Sequence, residues 1–201
     1  GPIYGPWEAV ERSTRNLPHS AGIWRAVTSP VPTDRDERDW LDMYADMDDA
    51  RAEELIQRLI ENETALTPTF QANFRGYPAE WTSFEAEDRR FFIEADPNLM
   101  AYYPSARMQA ALAFYGQRGP WSVRDEAARE RKMIGFKNAL RFHKMFVDNG
   151  GHLVPGANTN PSRVPGENLH HEIAVFEEAG ISPMQIIQGA TKWSAEMLLL
   201  G

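Results

Sequence analysis

The chain has 201 residues, 42% of them hydrophobic and 25% charged, with a net charge of −8 and no cysteine. This is an ordinary globular composition and excludes wholesale disorder, while the negative balance argues against a nucleic-acid or anionic-membrane partner. Disulfides and thiolate zinc sites are excluded too, so any metal must be held by His, Asp or Glu.

No run reaches the ~18 apolar residues of a membrane-spanning helix, and no signal peptide is in view, so the expected location is cytoplasmic. The length suffices for one domain with a real core. It is short for a closed (β/α)₈ barrel, which takes about 250 residues. A single α/β segment over residues 1–201 is expected, with 1–16 weakly assigned.

In chain order, residues 7–12 suggest a short helix, and the Pro- and charge-rich stretch 28–46 a loop with at most a turn of helix. From Met47 a helix is clear. Asp46 or Asp48 caps it, and Ala52, Leu55, Ile56, Leu59 and Ile60 form one apolar stripe. Residues 64–70 (TALTPTF) have the composition of a buried strand. Residues 71–123 are rich in aromatics, glycine and proline, and are expected to be an insertion or lid whose aromatics pack on the scaffold or line a pocket. Residues 124–149 predict a long helix, with Ala128, Met133, Phe136, Leu140, Met145 and Phe146 at core spacing. The run Arg129-Glu130-Arg131-Lys132 on it is expected to be a solvated face.

The last fifty residues carry the most information. A short apolar strand leads to a polar turn holding Asn158, then a Pro-Gly loop and two helices. The first helix, 167–179, should stop at Gly180, where glycine takes the left-handed conformation without a Cβ clash. The second begins at Ser182, with Pro183 in its first position and Gln185 three residues after the cap, a capping box. Met184, Ile187, Ala190, Met197 and Leu198 recur along it at helical spacing.

In order, the segment holds Gly156-Ala157-Asn158, Val164-Pro165-Gly166, Leu169-His170-His171-Glu172, Glu178-Ala179-Gly180-Ile181-Ser182-Pro183-Met184, Ala190-Thr191 and Ala195-Glu196-Met197-Leu198. This order resembles the last β/α unit of the metal-dependent amidohydrolase superfamily, in its imidazolonepropionase-like and prolidase-like branch. Upstream, Leu17-Pro18-His19-Ser20 resembles the I-E-H-[GS] strand end of that branch, and Pro68-Thr69 its P-T-[LF]. The resemblance implies a partial (β/α) barrel of TIM type, strands six to eight, and a zinc or other divalent metal that activates water against a C–N bond. It implies His19 as a metal ligand, and Thr69 and His170 at the substrate. Asn158 stands where the family has an aspartate that ligates metal and carries the proton. An amide cannot carry a proton as a carboxylate does.

Each residue also has a plain structural reading: a loop histidine at 19, a turn asparagine at 158, helix-start packing at 170 and a strand threonine at 69. The five histidines (His19, His143, His152, His170, His171) include no H-x-H pair, and the ligands of the family's earlier strands are absent. His170 and His171 point about 100° apart on a helix and do not converge on one metal. His143 and His152 are expected to be structural.

The expected function is therefore a metal-dependent hydrolase of amide or peptide bonds, incomplete and inactive as this chain alone. Its substrate would be a small-molecule cyclic amide or an Xaa-Pro-like dipeptide. The alternative is a non-catalytic binding or assembly module. Three parallel strands cannot close a barrel, so a homo-oligomer or a missing N-terminal barrel portion would have to cover them.

Overall fold

The computed structural model describes residues 5–20, 22–33, 38–70, 86–87, 89–90, 106, 109–110, 113, 125–158 and 166–200. The chain divides into two compact units. The first comprises Gly1–Pro68, Arg124–Pro155 and Phe176–Gly201; the second comprises Thr69–Val123 and Gly156–Val175. The expected insertion or lid at 71–123 lies almost wholly outside the described residues.

The first unit is built from short capped helices. Helix α1 is Pro6–Glu11, with proline at its start, and strand β1 is Asn16–Pro18. Helix α2, Ile23–Val27, follows a left-handed Gly22. Helix α3, Trp40–Ala45, lies in the stretch expected to be mostly loop. The Asp39 carboxylate caps it, accepting from the backbone N–H groups of Leu41 and Asp42, both at 3.0 Å. Helix α4, Asp49–Glu61, is capped by Asp48 and buries Ala52, Leu55, Ile56 and Leu59. Strand β2 is Ala65–Thr67, and helix α5 is Glu126–Asp148, capped by Asp125.

Helix α5 packs along α3. Gly135 makes this close approach feasible: a Cβ there would lie 1.9 Å from the Leu41 carbonyl oxygen. The largest fully buried side chains of the unit are Tyr44, Phe142, Phe146, Phe176, Ile23, Leu41, Met43, Leu55, Leu59, Leu66 and Leu153. Burying a Leu or Phe side chain contributes about 1.5–3 kcal/mol, so this set is the main stabilising term. The run expected to be a solvated face proves divided: Lys132 is buried, with its ammonium on the carboxylates of Asp39 and Asp42. The α3–α5 crossing draws that side chain inward.

Helix α6, Glu167–Glu178, begins in the second unit and ends in the first. It gives way to Gly180 at φ 79, as the glycine predicts. Helix α7, Pro183–Gln188, carries the expected capping box of Ser182 and Gln185. The chain then widens into a π-turn, Gly189–Trp193, and closes in helix α8, Ser194–Met197. At Gly189 a Cβ would stand 2.3 Å from the Leu153 carbonyl oxygen. The predicted apolar stripe is not the buried one here. Met184, Ile187 and Leu198 are exposed, and Ile186 and Gly189 face inward.

The described residues do not form the partial (β/α) barrel expected from the resemblance. The described residues are mostly helical. The described residues hold one two-stranded parallel sheet, with Asn16 opposite Ala65, Leu17 opposite Leu66 and Pro18 opposite Thr67. Leu153 adds a single parallel bridge to Leu66, through Leu66 N–H to the His152 carbonyl at 3.0 Å and Val154 N–H to the Leu66 carbonyl at 2.8 Å. The physical reason is proline. Pro18 closes β1, Pro68 follows β2 and Pro155 follows Val154. Pro68 lacks the N–H that would carry the pairing with the Leu153 segment one step further, Pro18 and Pro155 lack one for any strand on their outer sides, and a barrel needs continuous ladders on both sides of every strand.

Candidate metal centre

The residues marked by the sequence fall into different settings. His19 follows β1 directly. It is exposed and sits in the left-handed region at φ 58, as does Ser20 at φ 43. Thr69 lies two residues beyond β2, buried, at φ 54. Left-handed backbone at non-glycine residues is costly, about 1–3 kcal/mol each, and clusters at functional loops. Asn158 is half-buried, and its backbone carbonyl accepts from the side-chain amide of buried Asn168 at 3.3 Å. His170 is exposed on α6, and its neighbour His171 is buried, so the two histidines diverge as helix geometry requires.

The metal implied by the resemblance does not fit His19 and Asn158 as this chain presents them. No group of three His, Asp or Glu side chains with converging ligand atoms includes His19 among the described residues. The Asn158 side chain is a neutral amide, a weak donor for a divalent ion.

A different trio does converge, within the second unit. Glu87, Glu167 and His171 place their ligand atoms within 4.8 Å of one another. Nε2 of His171 stands 3.8 Å from Glu87 Oε2 and 3.8 Å from Glu167 Oε1. Glu167 and His171 are four residues apart on α6 and so share a face. Gly166, at φ 87, turns the chain into that helix. The sequence held part of this signal in the E-x-x-x-H spacing of Glu167 and His171. Glu87, eighty residues away, could be joined to them only by tertiary structure.

Two further settings belong to the first unit. Buried Ser20 lies 2.6 Å from Nε2 of buried His143, whose Nδ1 lies 2.7 Å from the Ala139 carbonyl. Burial pushes the His143 pKa down to about 4. The second setting is a cleft of about 430 Å³ whose walls include Arg15, Glu63, His152, Trp193 and Glu196. There the His152 ring stacks on Trp193 with centroids 4.9 Å apart and planes 8° from parallel. Its pKa is lowered, first by burial and then by Lys192, against the raising pull of Glu196 and Glu63. The π-turn that presents Trp193 is a backbone form frequent at functional sites. Residue spacing carries no sign of this stack.

No family model, no curated protein and no solved structure matches the chain. No helix among the described residues is long and apolar enough to cross a membrane.

Proposed function

We propose that this chain contributes part of a metal-dependent hydrolase acting on the C–N bond of a small amide or dipeptide, and that it does not turn over substrate alone. The observation that supports the reading is the ordered run of motifs from Gly156 to Leu198, including the local devices at Gly180 and Ser182-Pro183-Gln185. Bound metal would supply an activated water and polarise the carbonyl. The chain's own contacts to the substrate would be Thr69, beyond the end of β2, and His170, on α6. A second reading, a non-catalytic binding or assembly module, is favoured by one residue: Asn158 cannot shuttle the proton.

The test compares this chain with the product of its whole reading frame. Both are loaded with zinc and assayed on Xaa-Pro dipeptides and cyclic amides. Metal-dependent hydrolysis by the whole product and none by the 201-residue chain is the expected result. A whole reading frame with no H-x-H pair upstream and no metal-dependent hydrolysis would leave the binding module.

A further inference from the structure

We propose that Glu87, Glu167 and His171 form a binding site for a single divalent cation of the zinc class, separate from the strand-end residues of the hydrolase reading and independent of it. The trio is not an acidic patch on a surface. His171 is buried, its side chain only 2% exposed, and its Nε2 is equidistant from one oxygen of each glutamate. The glutamates reach it from different parts of the chain, one on α6 and one eighty residues earlier.

The distances suit an ion between the groups. A charge-assisted hydrogen bond would close to about 2.8 Å. Two donors bound to one zinc at about 2.1 Å stand about 3.4 Å apart at the tetrahedral angle. The observed 3.8 Å separations are a few tenths of an ångström wider. Glu87, with a side chain 58% exposed, is free to supply that contraction, while α6 holds the other two. Two carboxylates converging on a buried imidazole repel each other, and a divalent cation removes that repulsion.

The donor set also selects the ion. Calcium and magnesium take oxygen shells. One imidazole nitrogen with two carboxylate oxygens suits zinc and its first-row neighbours. Three protein ligands leave a fourth position for water.

The test is zinc uptake by the chelator-treated chain, followed by equilibrium dialysis and elemental analysis, with thermal melting alongside. About one zinc per chain is expected. Glu87→Gln keeps the size of an exposed side chain and removes a charge, so the metal-free variant should melt like the parent. Its zinc affinity should fall on the order of tenfold or more, and zinc should no longer raise its Tm. His19→Ala should bind as the parent does. No zinc uptake by the parent, or equal uptake by Glu87→Gln, overturns the site. Loss of zinc in His19→Ala with retention in Glu87→Gln also overturns it, and moves the metal to the strand end.

Discussion

The hydroxyl of Ser20 donates a 2.6 Å hydrogen bond to Nε2 of His143, 123 residues later in the chain. The direction follows from the other ring nitrogen. Nδ1 lies 2.7 Å from the Ala139 carbonyl, which can only accept, so Nδ1 carries the proton and Nε2 is the acceptor. One buried pair thus ties the loop after β1 to the C-terminal third of α5. The hydroxyl spans the link and the helix carbonyl fixes the tautomer. Ser20→Ala removes one buried hydrogen bond to that ring and should cost about 1–3 kcal/mol. Urea unfolding measures it, and an unchanged midpoint would show that the pair carries no stability.

The same pair predicts an acid-sensitive fold. The His143 pKa is lowered from 6.5 to about 4 by burial, so the folded state holds the ring neutral where the unfolded chain would take up a proton. Its contribution is full above pH 6.5 and is lost as pH falls from there to about 4, amounting to about 3 kcal/mol. His143→Gln should flatten this part of a plot of unfolding free energy against pH. A variant as acid-sensitive as the parent would place the titration elsewhere.

Asp39 does two jobs with one carboxylate. Oδ1 caps α3, and Oδ2 accepts from Lys132, which also reaches Asp42 at 3.0 Å. Desolvation pulls the Lys132 pKa down, but its hydrogen bonds and charge contacts with both aspartates outweigh it, and the net shift is upward. Asp39→Ala removes a cap and a partner of a buried cation together. The expected loss is about 3 kcal/mol, larger than for removal of an exposed cap. Asp48→Ala, which removes only a cap, is the control, at about 1 kcal/mol.

Tyr44 is fully buried and its hydroxyl has no hydrogen-bond partner among the described residues. Burial pushes its pKa well up. Tyr44→Phe removes a desolvated polar atom without opening space beyond one oxygen. It should raise stability by about 1 kcal/mol, read as a higher Tm. A drop in Tm would mean that the hydroxyl is satisfied.

Gly135→Ala replaces a poor helix former by the best one, a gain of about 1 kcal/mol in an open helix. Here the new Cβ would lie 1.9 Å from the Leu41 carbonyl, so α3 and α5 must separate. The net effect should be a loss of about 3 kcal/mol, visible as a lower urea midpoint. A neutral result would show that α3 and α5 do not meet so closely.

Local structure was legible wherever one device decides it. The Asp48 cap and the stripe from Ala52 to Leu59 gave α4; Gly180 and the Ser182 capping box gave the junction between α6 and α7. These are contacts within a few residues, and sequence spacing encodes them. Residue spacing does not suffice where packing decides. Lys132 sits in a charge run indistinguishable from a solvated face until α3 packs beside it. Met184 and Ile187 keep helical spacing yet face outward, because Gly189, where a Cβ would meet the Leu153 carbonyl, sets which side of the helix turns inward. The barrel was expected from motif order, and that order says nothing about ladder length.

By itself the sequence determined the caps and the helix stops, because each rests on contacts within a few residues. It also determined that metal chemistry here must use nitrogen and oxygen donors. Tertiary structure alone decided which charges are buried and which distant groups meet. Ser20 finds His143, Lys132 finds Asp39, and Glu87 finds His171, because only packed helices bring side chains many tens of residues apart within a few ångströms.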